Sequence, residues 1–294
     1  MVPKEKKMIN LEKIKKSKST EELINFGIIN IDKSSGPTSF SVSDYIRKAL
    51  SLNKTSHFGT LDPQVSGVLP VGLGRACRLS EYLMHRNKTY VGIMRLHKSI
   101  ELKELEKIIK GFIGKINQMP PVRSRVKRAM REREIVSFNV LEIEGSDVLF
   151  ETEVQAGTYI RKLCDDMGQQ IGGAHMLELR RTKAGLFSEP SVNLYDFDSA
   201  VAEYKKGNDS LLRNMIFPGE MVSSFLPVVH IEKQVVKKVL AGSPIFPKFL
   251  LDEKEISKLK EGDKFCIFND DSFIGCYNFI GKENITAKPE FVFN

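Results

Sequence analysis

No apolar run in the 294 residues approaches the roughly 20 needed to span a bilayer. The opening stretch MVPKEKKMINLEKIKK lacks the apolar core of a secretory signal. Both absences point to a soluble, intracellular protein, with the cytoplasm as its expected location and no membrane among its partners. Cysteine is scarce: Cys77, Cys164, Cys266 and Cys276 form no CxxC pair and have no histidine at ligand spacing. That pattern argues against a disulfide framework and against a zinc site, and fits reduced thiols. Catalytic signatures are missing too. There is no GxxxxGK[ST] phosphate loop, no GxSxG elbow and no HExxH helix. GLGRAC at 72–77 begins like a dinucleotide fingerprint but lacks the third glycine. The histidines at 57, 85, 97, 175 and 230 are dispersed, so no metal or cofactor is expected.

Acidic residues are in deficit. Lys and Arg number 45 against 37 Asp and Glu, a net charge of +8, which favours an acidic partner such as nucleic acid. The excess is concentrated in RSRVKRAMRER (123–133), where Arg123, Arg125, Lys127, Arg128, Arg131 and Arg133 face a single Glu132. Six cations so close repel one another unless something supplies counter-charge, and a phosphate backbone does. At strand spacing Arg123, Arg125 and Lys127 would share one face. The Lys-rich segment from Lys4 to Lys18 reads as a flexible or wrapping tail.

Among the features present, Asp62 stands out. It is one acid within HFGTLDPQVSGVLPVGLG (57–74), a run of otherwise apolar, Gly, Pro and hydroxyl residues. A carboxylate in such surroundings is costly to bury unless paired or hydrogen-bonded. The simplest reading is a turn, since Asp before Pro starts turns and Gly67 would close the loop.

Local patterns supply a framework for that loop. Ser19 with Glu22 makes a capping box opening a short helix. GIINIDK (27–33) reads as a strand and SSGPTS (34–39) as a turn. An amphipathic helix starts at Ser41 with Val42, Tyr45, Ile46, Ala49 and Leu50 on one face, and a second covers 99–112 through Leu102, Leu105, Ile108, Ile109 and Phe112. KTYVGIMRLH (88–97) and VLFETEVQAG (148–157) are strand-like. TYIRKLCDDMGQQIG reads as a helix that turns Ile160, Leu163, Met167 and Ile171 inward. Strands and helices alternate without a βαβ rhythm, so the expected class is α+β on a mixed or antiparallel sheet. The expected organisation is a basic N-terminal extension (1–26), a catalytic domain (27–226) and a small β-rich domain (227–294). The last contains a hairpin turning at Asn269 to Ser272.

HFGTLDPQVSGVLPVGLG resembles the catalytic motif of the TruB and dyskerin-type pseudouridine synthases. Three further blocks agree in order: GIINIDKSSGPTS, with Ser34 where the family usually has Pro; KTYVGIMRLH; and VQAGTYIRKLCDDMG followed by GAHMLELRRTKAGLF. The resemblance spans about residues 27–187. The tail is similar, less closely, to a PUA RNA-binding domain, with Pro247-Lys248 where a Pro-Gly turn is usual.

The resemblance implies a cofactor-free isomerisation of uridine to pseudouridine in RNA, with a role for each matching position. Asp62 corresponds to the catalytic carboxylate and Arg161 to its cationic partner. Tyr90 corresponds to the aromatic that stacks on the target uracil. Tyr159 and Leu179 line the uracil pocket, and His57 helps splay the RNA. Lys33 is assigned to a phosphate or to anchoring the loop, and Arg123, Arg125, Lys127 and Arg128 to the RNA backbone. RLHKSIE after Tyr90, VRSRVKRAMRER after Pro120-Pro121 and the basic N-terminal segment depart from the bacterial pattern and look like the archaeal branch. The implied substrates are uridine 55 in the T-loop of tRNA and, with an H/ACA guide RNA and small accessory ribonucleoprotein subunits, rRNA uridines. Two other classes compete: a non-catalytic RNA-binding scaffold with the same fold, against which the intact Asp62, Tyr90 and Arg161 set argues, and a methyltransferase, whose cofactor loop is missing.

Overall fold

The computed structural model of the chain describes residues 9–120, 127–282 and 284–294. Arg123 and Arg125 lie outside the described residues. Helices α1 (Leu11–Ser17) and α2 (Thr20–Asn25) precede β1 (Gly27–Lys33). There follow α3 (Ser39–Ala49), β2 (Thr55–His57), β3 (Ser66–Leu73), α4 (Ser80–Met84), β4 (Lys88–Leu96), α5 (Leu102–Phe112), β5 (Gly114–Gln118), β6 (Arg131–Glu144), β7 (Asp147–Val154), α6 (Ile160–Gly168) and β8 (Ala174–Ala184). Short strands β9 (Phe187–Ser188) and β10 (Ile216–Pro218) come next, then β11 (Val228–His230), β12 (Lys264–Asn269), β13 (Ser272–Lys282) and β14 (Ile285–Val292).

Residues Ile28–Ile216 form one compact unit. Its sheet runs β1-β3-β8-β4-β7-β6-β5. Neighbours along it are antiparallel except β3 and β8, which are parallel, so the mixed sheet expected from the sequence is present. Strand β3 is buried along almost its whole length, with Val68, Leu69, Val71 and Leu73 inaccessible to solvent. Helix α6 packs on this sheet through Ile160, Leu163 and Met167, as read from the sequence, and also through Cys164; it ends at Gly168, so Ile171 is buried beyond the helix rather than on it.

The helices differ from expectation in their details, α5 for one starting at Leu102 rather than at residue 99. Helix α3 begins at Ser39 rather than Ser41, because the Thr38 hydroxyl accepts from the Ser41 N–H and caps it there. Tyr45 and Leu102, expected on buried faces, are exposed, and the Tyr45 hydroxyl instead donates to the Asp198 carboxylate. A tyrosine that finds a polar partner outside the core has little reason to turn inward.

The described residues up to Gly27 belong with Phe217–Asn294 to a second compact unit. Phe26 explains why. It is fully buried, stacked 5.4 Å from Phe273 and tilted 4.3 Å from Phe293. The Lys18 ammonium pairs with the buried Glu220 and lies over the Phe26 and Phe293 rings. The capping box at α2 is present as read: the Glu22 N–H donates to Ser19 Oγ at 3.2 Å and the Ser19 N–H to the Glu22 carboxylate at 2.7 Å. Within this unit β11-β12-β13-β14 form a four-stranded sheet over a core that includes Val229, Ile267, Phe265 and Tyr277. Asn269 pairs with Ser272 across the β12–β13 hairpin, with Asp270 at positive φ, the turn expected from the sequence. Among the described residues no helix is long and apolar enough to cross a membrane.

Candidate active site

Asp62 lies between β2 and β3 on a loop whose apolar residues are turned into the core. Phe58, Leu61 and Val65 are all buried. The Val65 N–H donates to the Asp62 carbonyl at 3.0 Å, closing a turn with Pro63 in the position that its fixed φ favours. Ser39 brackets the residue before the acid: its hydroxyl accepts from the Leu61 N–H at 2.8 Å and donates to the Leu61 carbonyl at 2.9 Å. The Pro63 carbonyl accepts from the Gly36 N–H at 2.8 Å and from Lys33 Nζ at 3.0 Å. Loop 34–39 and the Asp62 loop are thus laced together. The cost of burying a carboxylate does not arise at Asp62. The loop's neighbours are buried and the carboxylate itself stands out, 58% exposed.

Arg161 reaches that carboxylate from the first turn of α6, its Nη2 donating to Asp62 Oδ2 at 2.8 Å. The helix start is fixed by Gln118, whose side-chain amide accepts from the Tyr159 N–H at 3.0 Å and donates to the Tyr159 carbonyl at 3.3 Å. With Ile160 and Leu163 committed to the core, Arg161 faces outward. A cation in the first turn opposes its own helix dipole, a cost of about 0.3–1 kcal/mol that the Asp62 charge offsets. The contact is one hydrogen bond rather than a two-pronged fork.

A single row of paired residues crosses the sheet beneath this loop. Lys33 on β1 pairs with Gly67 on β3, Gly67 with Arg181 on β8, Arg181 with Tyr90 on β4, and Tyr90 with Thr152 on β7. Residues paired across a sheet share a face, so Tyr90 lies on the Arg181 side. Leu179, two positions before Arg181, belongs to the same face. It is buried opposite Gly92, where any Cβ would meet both Leu179 and Phe150. Tyr90 is buried and Tyr159 half-buried. His57 is half-buried, its Nε2 lying 3.1 Å from Thr60 Oγ1 and its Nδ1 3.4 Å from Ser43 Oγ. Burial, helped by the Arg181 charge, lowers its pKa and so favours the neutral imidazole.

Lys33 does not meet the expectation of an RNA phosphate contact. It is fully buried, and its ammonium donates to the Ser34, Pro37 and Pro63 carbonyls at 2.8, 2.9 and 3.0 Å. Three protons and three carbonyls leave nothing for a phosphate, so of the two roles read for Lys33 the loop anchor is the one its contacts describe. Lys127 and Arg128 are exposed and lie before the start of β6.

Several residues of the site went unread in the sequence: Ser39, Gln118, Lys88 and Arg181. Lys88 is buried, donating to the Met84 and Arg86 carbonyls, and its pKa is pushed down to about 8 by burial first and by the Arg181 charge second. Arg181 had one available signal, its i, i+2 relation to the apolar Leu179, which places it on the inward face of β8. Among the described residues no group of three or more His, Cys, Asp or Glu is placed to hold a metal ion.

Comparison with known proteins bears on this arrangement. Residues 47–160 match the TruB family pseudouridylate synthase N-terminal domain, and residues 161–223 the tRNA pseudouridylate synthase B C-terminal domain. A probable tRNA pseudouridine synthase B from Methanopyrus kandleri is 43% identical over 252 residues, covering 84% of this chain and 74% of that protein. Among solved structures, one described as a Cbf5-Nop10-Gar1 complex superposes with a TM-score of 0.86 at 38% identity, covering 95% of this chain and 88% of that one. Another, an H/ACA RNP bound to a substrate RNA containing 2′-deoxyuridine, gives 0.84 at 36% identity, covering 95% and 89%. By these matches, which extend over most of the chain and include the Asp62 loop, the chain belongs to the TruB family of pseudouridylate synthases.

Proposed function

We propose that this chain isomerises uridines in RNA, acting on uridine 55 in the T-loop of tRNA and, together with an H/ACA guide RNA, on rRNA uridines, with Asp62 as the reacting group. The observation that carries the reading is the Asp62–Arg161 contact, a solvent-open carboxylate held by a permanent cation at 2.8 Å. In the reaction the N1–C1′ bond breaks, the uracil turns, C5 joins C1′, the C5 proton leaves and N1 gains one. Atoms and electrons balance with no redox partner. The carboxylate starts this either by attacking C1′ or by taking the C2′ proton, and each route requires it ionised beside the ribose.

The other roles follow from position. Tyr90 is proposed to stack on the extruded uracil, with Tyr159 and Leu179 lining its pocket and His57 holding the RNA open. Lys127 and Arg128, with Arg123 and Arg125, are proposed to neutralise backbone phosphates. The β-rich segment 227–294 is proposed as a PUA-like RNA-binding domain alongside the catalytic domain 27–226. Small accessory proteins are proposed as partners by analogy with the Cbf5-Nop10-Gar1 complex. The setting is taken to be the cytoplasm.

The test is tritium release from RNA carrying 5-tritiated uridine, on tRNA alone and on an rRNA fragment with guide RNA and accessory proteins. Release by the wild type and none by Asp62→Asn is the expected result. Undiminished release by Asp62→Asn would sink the assignment, and release from tRNA alone would place the main substrate in the T-loop.

A further inference from the structure

We infer that Arg181 is a positioning residue for the reaction, clamping both stems of the Asp62 loop so that the carboxylate is presented in one place. This rests on the reading of Asp62 as the reacting group. Arg181 is 1% exposed, and its planar guanidinium makes two hydrogen bonds: Nε donates to the Val68 carbonyl at 2.8 Å and Nη2 to the Gly59 carbonyl at 2.9 Å. Gly59 lies on the entry side of Asp62 and Val68 on the exit side, so one rigid group fixes the separation of the two stems. The backbone of Arg181 takes part as well. Gly67 pairs with Arg181, and a Cβ at Gly67 would stand 2.1 Å from the Arg181 carbonyl oxygen, an approach only glycine permits. The loop therefore leaves over the very residue whose side chain ties its two ends.

The charge of Arg181 has no acidic partner within ion-pair reach among the described residues. Its guanidinium donates to two neutral carbonyls, and Lys33 and Lys88 are close enough for its charge to lower the pKa of each. Burying a guanidinium without a carboxylate is expensive, and clamping two carbonyls at a fixed spacing is a task the rigid fork performs better than an ammonium. Arg161 differs in kind: it touches the carboxylate directly from an exposed position, whereas Arg181 acts through the backbone that carries Asp62. Reactions that depend on orientation lose rate when a group is displaced by about 1 Å, without losing the substrate.

The test uses the full chain with Arg181→Lys and Arg181→Gln, reading amide hydrogen exchange and steady-state tritium release. We expect exchange within residues 59–67 to rise at least tenfold over wild type while β4 and β7 stay within twofold. We expect kcat to fall at least tenfold with KM for RNA within twofold, and Arg181→Lys to retain more activity than Arg181→Gln. Unchanged exchange in 59–67, an equal rise throughout the sheet, or a loss confined to KM would each overturn the proposal. If Arg181→Gln fails to fold, Arg181→Lys decides alone on the same readings. The reading of Asp62 stands or falls separately on Asp62→Asn, whose activity can be normal while loop exchange in the Arg181 variants still decides the clamp.

Discussion

The Asp62 carboxylate and the Arg161 guanidinium, 99 positions apart in the chain, meet at 2.8 Å with more than half of each side chain open to solvent. An ion pair so exposed contributes at most about 1 kcal/mol to folding, so stability is a poor reason for holding it. Asp62→Asn is therefore expected to leave the thermal unfolding midpoint almost unchanged while lowering single-turnover pseudouridine formation by at least about 10³-fold. Arg161→Lys keeps the charge but not the planar donor geometry, and a loss of roughly tenfold or more is expected. Parallel melts and tritium-release time courses check both. A large drop in melting temperature for Asp62→Asn would mean that the pair is structural.

Gly67 offers a test of how tightly the loop is seated. Its φ is +103°, and a Cβ would lie 2.1 Å from the Arg181 carbonyl oxygen and 2.8 Å from the Arg181 nitrogen. Backbone on one side and strain on the other leave no cheap relaxation. Gly67→Ala is expected to destabilise the protein by about 3 kcal/mol or more. Gly36 makes the control, since it also has positive φ but nothing within 4 Å of its Cβ position. Gly36→Ala should carry only the conformational strain, about 1–2 kcal/mol. Urea titrations of the two variants give the comparison.

How much of this was legible in the sequence depended on how local the deciding interaction is. The Asp62-Pro63 turn, the Ser19–Glu22 capping box and the Asn269–Ser272 hairpin are settled within four residues, and each was read correctly. The Asp62–Arg161 pairing came from motif resemblance, not from spacing. Arg181 and Gln118 were missed because each acts on backbone 122 and 41 positions away, and nothing local marks a side chain for such a partner. Lys33 could not be resolved between phosphate and anchor because lysine is so seldom buried. Only the fold shows three carbonyls converging on it. Tyr45 was placed inward because apolar periodicity counts a tyrosine as a hydrophobe and ignores a polar partner such as Asp198.

Lys33 and the basic residues after it make opposite predictions for RNA binding. Removing the Lys33 ammonium leaves the Ser34 and Pro37 carbonyls without that donor, so Lys33→Met should destabilise by about 2–4 kcal/mol. Because the ammonium's three protons are taken by the Ser34, Pro37 and Pro63 carbonyls, the slope of log Kd against log salt should not change. Lys127→Ala and Arg128→Ala, both at exposed positions, should leave stability within about 0.5 kcal/mol. Each should reduce that salt slope by about one unit if it meets the backbone. Binding isotherms at several salt concentrations separate the two kinds of lysine. A flattened slope for Lys33→Met would restore it to the RNA interface.

Lys88 predicts a pH dependence of stability with a definite sign. Its pKa falls from the ordinary 10.5 to about 8, through burial first and the Arg181 charge second. The unfolded chain holds this proton up to the ordinary lysine value, whereas the folded chain releases it near 8. Between those values the unfolded state binds more protons, so raising the pH stabilises the fold as far as this group is concerned. Below 8 both states are protonated and the full cost of the buried charge is present. Lys88→Met carries no proton there and should lack that rise, while every other titrating group acts on both proteins alike. The difference in unfolding free energy, wild type minus Lys88→Met, measured in urea at intervals from pH 7 to pH 10.5, should therefore be level up to about 8 and increase above it. A difference that declined over the same interval would mean that Lys88 is held as a cation by a partner stronger than the Met84 and Arg86 carbonyls.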